Sequence, residues 1–520
     1  MAEARIALTG RIDSNNAPQV EKDMLAQLDG LGQVPVVLDA EELHYISSAG
    51  LRVILRIKKN YPDLTITNVN SEVYEILEMT GFTEMMSVEK AYRVVDVTGC
   101  EEIGRGANGT IYRIDQDNVV KVYNNADALE DIQHEREVAR LALILGIPTA
   151  ISYDVVKVGE SYGSVFELLN ASSFSKIIAT EPEKMDWCVK EYVELLKKIH
   201  STEVPEGKLP DLKETVLDWA RFMLDYLPEE AGKKLVAMVE AIPHDDHMIH
   251  GDYHTKNVMF QNDEVLLIDM DTLAIGNPIF ELASMYNAFI GYSEIDKTKI
   301  ISFQGFDSET GHTFWRKSLA EYLDTKNEYK IQEVEDKARI IGYTRMIRRS
   351  IRRNGLKNEE DRKEIEYWKA ELLKLLARID TLMFSRNELE IEAAEENLGL
   401  VQEFVDEHLE AAECSMKSQM QISVAVEEIF VNIARYAYAP DKGNATVRVE
   451  VADAPVAVTI TFVDHGQPYD PLAKEDPDVT LPADERRIGG LGIFITKKTM
   501  DDVVYEYKDG QNILKLKKNL

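Results

Sequence analysis

The sequence predicts a multidomain protein built from α/β and α+β domains, and three observations predict it. The chain has 520 residues, too many for one hydrophobic core, so about two to four domains are expected. The apolar/polar pattern changes near residues 98 and 384, which divides the chain into 1–98, 99–384 and 385–520. Each segment mixes strand-like alternation with helix-like periodicity in its own order.

Composition narrows the function classes. Hydrophobic residues make up 45% and charged residues 29%, as in an ordinary water-soluble protein. The net charge of -33 argues against a general nucleic-acid binder and against docking on anionic lipid, since both would repel the chain. The start, Met1 to Leu8, lacks the sustained apolar core of a signal peptide, and no stretch approaches the ~20 apolar residues of a membrane span. Three widely spaced cysteines, Cys100, Cys188 and Cys414, fit a reducing cytoplasm and give no disulfide or metal framework. A cytoplasmic location is therefore expected.

In residues 1–98, Ile6–Leu8, Val34–Leu38 and Leu64–Thr67 read as strands. Ala17–Leu28 and Gly50–Lys59 read as helices. The informative stretch is Val36–Asp39, then His44-Tyr45-Ile46-Ser47-Ser48-Ala49-Gly50. It reads as a buried strand, a loop, and two serines at the start of a helix. Amides and dipole at a helix N-terminus stabilise negative charge, so a phosphate on that hydroxyl is tolerated. A serine there is also an ordinary N-cap, which spacing alone favours. The segment resembles a STAS domain of the anti-sigma-factor-antagonist type. Gly10-Arg11-Ile12-Asp13 fits its early turn and Met79-Thr80-Gly81-Phe82 its late motif. The resemblance implies Ser48 as the residue phosphorylated by a partner kinase. The family usually carries Asp where this chain has Ser47.

Residues 99–384 begin strand-rich, from Ile103 to Tyr123, and turn helical later, the order of a two-lobed α+β domain. Gly104, Gly106 and Gly109 form a Gly-x-Gly-x-x-Gly loop, whose backbone amides can close over phosphates. Lys121 follows twelve residues after Gly109, on the next strand, where it can hold phosphate oxygens. A helix carboxylate can fix that lysine. Spacing favours Glu137, with Glu135 as its rival.

The stretch from His250 to Asn257 is more specific. Asp252 can accept a hydroxyl proton. Asn257 and Asp269 supply the hard oxygens Mg²⁺ needs while it neutralises ATP phosphates. The domain resembles the aminoglycoside phosphotransferase and choline kinase-like family, whose fold is two-lobed and protein-kinase-like. The resemblance implies Asp252 as catalytic base, Asn257 and Asp269 as metal ligands, and Lys121 on phosphate. It places Glu167 and Leu168 in an adenine-contacting hinge, and Gly276 to Ala283 matches a further family element. Such enzymes usually phosphorylate a small-molecule hydroxyl. Arg345, Arg348, Arg349, Arg352 and Arg353 stand out in so acidic a chain. They read either as a solvated helix face paired with acids or as a site for an anionic substrate or acidic partner.

In residues 385–520, Leu389–Ala412 has apolar residues at helical spacing and Ser423–Tyr438 reads as a second helix. Ala445–Val451, Val456–Val463 and Ile513–Leu516 read as strands, giving an α/β sandwich. Glu428 and Asn432 are one helical turn apart and share a face, a base beside a Mg²⁺-binding amide. Asp464 can accept from an adenine amino group, and Gly466 allows close approach. Gly489, Gly490 and Gly492 open a helix whose amides face phosphates. The region resembles the histidine-kinase-like (GHKL) ATPase fold of anti-sigma-factor serine kinases. That implies Glu428 as general base for serine phosphorylation, Asn432 on Mg²⁺, Asp464 on adenine, and Gly490 and Gly492 in the phosphate loop. The late strand often carries Gly-Thr, where this chain has Gln511-Asn512.

Together these readings predict an ATP-dependent phosphotransferase used for partner-switching signalling. ATP and Mg²⁺ are the expected cofactors. The expected partners are a sigma- or anti-sigma-type regulator or the chain's own STAS domain, and a small-molecule phosphoacceptor. Two other readings stay open: a nucleotide-gated scaffold with one or both ATP sites silent, and a small-molecule hydroxyl kinase with accessory regulatory domains.

Overall fold

A computed structural model describes residues 3–520 apart from 33, 107, 126–127, 170, 355–356, 358, 454–455 and 474–490. The chain forms two compact units. One comprises residues 1–140 with 150–169, the other 141–149 with 170–520. No helix among the described residues is long and apolar enough to cross a membrane.

The first unit opens with a four-stranded parallel sheet of Ala4–Ile12, Val36–Ile46, Leu64–Val69 and Val88–Lys90, in that order. The strand from Val36 runs on to Ile46, through the stretch expected to be a loop. Leu43 and Ile46 are buried and the partner strand follows with two register shifts, so pairing and burial extend it. Helices Ala17–Leu28, Ser48–Asn60 and Ser71–Met79 supply Met24, Leu28, Val53, Ile54, Ile57 and Val73 to one apolar core. Gly50 is needed for this packing. A Cβ there would lie 2.7 Å from side-chain carbons of Ile12 and Ile46.

The same unit holds a second, six-stranded sheet. Its antiparallel part is built from Glu101–Arg105, Gly109–Arg113, Asn118–Tyr123, Asp154–Val158 and Ser161–Glu167. Its edge is the two-residue strand Arg93–Val94, paired in parallel with Asp154–Val158. Val95 N donates to Lys157 O at 2.9 Å, and Arg93 pairs with Asp154 at 3.1 Å. The end of the first domain is thus hydrogen-bonded into the sheet of the next.

The second unit contains a helical assembly built around Pro278–Phe289 and Glu328–Asn354. It ends in a five-stranded antiparallel sheet covered by Leu398–Ala411 and Met416–Asn432. The sheet order is Glu388–Glu392, Asn444–Asp453, Val456–Asp464, Gln511–Asn519, Asp502–Lys508. The first of these strands starts the stretch read as wholly helical from Leu389. Leu389 and Ile391 alternate inward between glutamates, a period of two.

Helix Glu328–Asn354 joins both parts of this unit through buried charge. Lys337, 3% exposed at its side chain, pairs with Glu333 at 2.6 Å and with Glu390 of the sheet at 3.3 Å. Lys330 pairs with Glu333 at 2.9 Å, and Asn327 donates to Leu400 O at 3.1 Å. Charges this deep persist only because every one is paired.

Candidate functional site

Ser47 and Ser48 divide the two roles open to them. Ser47 is the N-cap of Ser48–Asn60, its Oγ accepting from Ala49 N at 3.2 Å. Ser48 is the first helical residue and is exposed. The cap is therefore made by the neighbour, and the Ser48 hydroxyl stands at the positive end of the helix dipole.

In the strand-rich part of the middle region, Gly106 N donates to Gly109 O at 2.9 Å, closing the glycine loop. A Cβ on Gly109 would sit 2.4 Å from Val122 O, so only glycine fits there, whereas Gly104 and Gly106 have ordinary room. Lys121 pairs with Glu135 at 2.9 Å, both side chains nearly buried. Tyr123 Oη also donates to Glu135, at 2.5 Å. This corrects the expected Glu137, which is exposed. Two residues along a helix is a rotation of about 200°, so Glu135 and Glu137 face opposite sides. Glu167 closes the ladder opposite Asn118, and Leu168 N donates to Asp117 O at 2.6 Å.

The second unit holds the segment around Asp252. Strand Met248–Ile249 pairs with Ala274–Ile275, and Val258–Gln261 pairs with Glu264–Leu267. Between them the chain turns through His250 to Asn257. Gly251 has φ 80°, and a Cβ there would meet Thr272 O at 2.6 Å. Buried Glu281 accepts from the amides of His250, Gly251 and Tyr253. Burial pushes the Glu281 carboxyl up to about 7, opposed by these amides. Sequence reading placed Glu281 within a family element without assigning it this role. The signal was a glutamate on an otherwise apolar helix start, Pro278–Ala283.

Asn257 Nδ2 donates to Asp252 O at 3.1 Å, and Ile268 N donates to Asn257 O at 2.9 Å, which brings Asp269 beside Asn257. Asp269 takes a left-handed φ of 63°. His254 Nε2 lies 3.5 Å from Asp252 Oδ2. Burial alone would raise the Asp252 carboxyl. The His254 hydrogen bond and the charges of His254, Arg345 and His250 outweigh it and hold the carboxyl below its ordinary range. Asp252 is thus an ionised acceptor. Among the described residues no group of three or more His, Cys, Asp or Glu side chains could hold a metal. Asn257 and Asp269 fit a Mg²⁺ ion that completes its shell with phosphate and water oxygens.

In the C-terminal sheet domain, Glu428 and Asn432 lie on Met416–Asn432, which runs into a π-helical turn at Ile433–Ala437. A Cβ on Gly492 would come 1.7 Å from Glu428 Oε2, so the glycine admits the carboxylate beside helix Leu491–Thr499. Asp464 is buried. Its Oδ1 accepts from Gly466 N at 2.9 Å and from Asn512 Nδ2 at 2.8 Å, and Oδ2 takes neither bond. Gly466 lies against the π-turn, where a Cβ would meet Ala437 O at 2.3 Å. Gly489 and Gly490 lie outside the described residues. Asn512, noted in the sequence only as a departure, is a member of this site: its Oδ1 also accepts from Tyr505 Oη at 2.7 Å.

Comparison with known proteins finds three family matches along the chain. Residues 5–96 match the STAS domain model, 99–304 the phosphotransferase enzyme family and 391–518 the histidine kinase-like ATPase domain. BtrV of Bordetella bronchiseptica, named as an anti-sigma factor antagonist, is 40% identical over 85 residues, 16% of this chain and 72% of BtrV. The serine-protein kinase RsbW of Listeria monocytogenes is 29% identical over 101 residues, 18% of this chain and 63% of RsbW. The chain thus spans less than two thirds of that kinase. The crystal structure of aminoglycoside phosphotransferase APH(2'')-Ib with ADP bound aligns with 59% of this chain and 99% of that chain, at 16% identity and a TM-score of 0.38. The family matches support an ATP-dependent phosphotransferase of the signalling class with a STAS module. Through residues 5–96 the chain belongs to the STAS domain family, in company with anti-sigma factor antagonists.

Proposed function

We propose that the protein is a cytoplasmic partner-switching kinase in which a phosphorylatable STAS domain, residues 1–98, shares a chain with two phosphotransferase domains, 99–384 and 385–520. The C-terminal domain phosphorylates Ser48, within one chain or between two copies, and a sigma/anti-sigma-type regulator is the partner that the phosphate releases or admits. Glu428 takes the serine proton, Asn432 holds Mg²⁺, Asp464 receives the adenine amino group, and Gly466, Gly489, Gly490 and Gly492 line the nucleotide. Sharing one chain raises the local concentration of acceptor and kinase. The observation that carries this reading is the division of labour at the helix start: Ser47 caps, and Ser48 is left exposed.

The middle domain transfers phosphate to a separate acceptor. Asp252 is its base, Asn257 and Asp269 its Mg²⁺ ligands, and Lys121, held by Glu135, its phosphate contact. The glycine loop covers the phosphates, and Glu167 and Leu168 form the adenine hinge. Magnesium, when bound, neutralises the phosphate oxygens. Equilibrium dialysis with Mg²⁺ and a non-hydrolysable ATP analogue tests the two-site reading. Two sites per chain are expected, one lost in Lys121→Ala and the other in Asp464→Asn. A single site, or loss of both in either variant, contradicts it.

A further inference from the structure

The arginine-rich end of helix Glu328–Asn354 holds chemistry that the reading above leaves unused. Arg345, Arg348, Arg349, Arg352 and Arg353 recur at three- and four-residue steps, so they share one face. A merely solvated face would pair them with carboxylates. Among the described residues none of the five has a carboxylate oxygen within 4.0 Å. Asp218, whose charge reaches Arg348, is itself paired with Arg221 at 3.6 Å.

Aromatic rings lie against three of these arginines instead. The Arg345 guanidinium lies 5.5 Å from the Trp219 ring centre, and Arg348 lies 5.9 Å from that of Phe222. Arg349 lies 5.8 Å from the Tyr292 ring and donates to Tyr292 Oη at 3.0 Å. Ring contacts restrain these guanidinium groups without supplying a counter-charge, which suits recognition of carboxylate or phosphate. The inner end of the face touches the Asp252 segment. Arg345 Nη1 donates to Ser284 Oγ at 2.9 Å and lies 3.5 Å from Gly251 O, one residue before Asp252. From Arg345 to Arg353 the helix rises about 12 Å, the span of a metabolite with one or two anionic groups.

We propose that this face is the acceptor site of the middle phosphotransferase and that it takes a small hydroxyl compound bearing a carboxylate or phosphate. The proposal rests on the reading of Asp252 as base. The acceptor hydroxyl oxygen bonds to the γ-phosphorus, and the bond from that phosphorus to the β–γ bridging oxygen breaks. The hydroxyl proton goes to Asp252, and ADP leaves with the electron pair. Amine acceptors are repelled by the same five charges. Polyanions such as nucleic acid are opposed by the chain's net charge of -33.

The test uses the full chain with its nucleotide sites filled by Mg²⁺ and a non-hydrolysable ATP analogue. Fluorescence is titrated with glycerol 3-phosphate, glucose 6-phosphate and glycerate, and separately with choline and kanamycin. A Trp219→Phe variant assigns the signal. At least one anion is expected to saturate at about 1 mM or below, and the double variant Arg348→Gln/Arg352→Gln is expected to bind it about tenfold or more weakly. Thermal melting of that variant checks its folding, and Arg353→Gln alone gives a milder second reading. Saturation by the cations alone, by none of the anions, or equally in wild type and double variant overturns the proposal. Binding is read without turnover, so the base assignment is tested apart from it. Asp252→Asn is expected to bind the anion unchanged and phosphorylate none, and undiminished transfer in that variant sinks the base assignment alone.

Discussion

Asn512 donates from Nδ2 to Asp464 Oδ1 at 2.8 Å, on the strand where related kinases often place threonine. The amide is longer than a threonine hydroxyl and reaches three further groups. It accepts from Tyr505 Oη at 2.7 Å and from Tyr469 N at 3.2 Å, and donates to Gln467 O at 3.1 Å. Asn512 thereby orients the Asp464 carboxylate through Oδ1.

Removing that amide is expected to weaken the C-terminal nucleotide site. A hydrogen bond to a charged group contributes about 1.5–3 kcal/mol, so Asn512→Ala should lose about tenfold or more in nucleotide affinity there. Asn512→Thr, which keeps a donor, should lose less. Equilibrium dialysis in a Lys121→Ala background isolates the site, and unchanged affinity in Asn512→Ala contradicts this role.

The pairing of Lys121 with Glu135 separates two neighbouring carboxylates. Glu135→Gln removes the carboxylate that holds a nearly buried lysine at 2.9 Å, and nucleotide affinity of the middle domain should fall about tenfold. Glu137→Gln changes an exposed residue and should leave affinity within about twofold. Titrations in an Asp464→Asn background read the middle site alone.

The two serines should part in stability. Ser47→Ala loses the cap and should cost about 1 kcal/mol. Ser48→Ala should be close to neutral, and Ser48→Asp tolerated, since negative charge suits a helix N-terminus. Urea unfolding followed by far-UV circular dichroism checks all three.

Stability should fall with acid because of His250. Burial pushes this imidazole down to about 4 from an ordinary value of 6.5, against the attraction of Asp252 and Asp269. Its Nδ1 accepts from Asp252 N at 3.3 Å, and its buried Nε2 has no partner among the described residues. A depressed folded value means the unfolded chain binds the proton first. The stabilisation is therefore present above pH 6.5 and lost as pH falls toward 4. Between pH 7 and pH 5 the loss should be about 2 kcal/mol. His250→Asn should flatten that part of the profile.

Much of this fold is legible in the sequence because its periods are clean. Ala17–Leu28 begins at a proline-assisted turn and presents Met24 and Leu28 at helical spacing, and it folds over the residues read for it. Several strands were not legible, two of them in the C-terminal sheet. Asp502–Lys508 is a sheet edge whose side chains are mostly exposed, so no apolar alternation marks it. Glu388–Glu392 is only five residues long and runs into a helical pattern. Spacing also could not choose Glu135 over Glu137, because the choice depends on which face of the helix meets Lys121. Lys337 looks like a surface residue until Glu390, far along the chain, is brought to it. Motifs of local chemistry survive in sequence, and pairs made by packing do not.

Phosphosite mapping by mass spectrometry, after incubating the purified chain with Mg²⁺ and ATP, tests the central claim most directly. Phosphate is expected on Ser48 in the wild type and in Asp252→Ala, and none in Glu428→Ala. A mixture of Glu428→Ala with Ser48→Ala then distinguishes transfer between chains from transfer within one. Phosphate on Ser48 that persists in Glu428→Ala, or that disappears only in Asp252→Ala, contradicts the account.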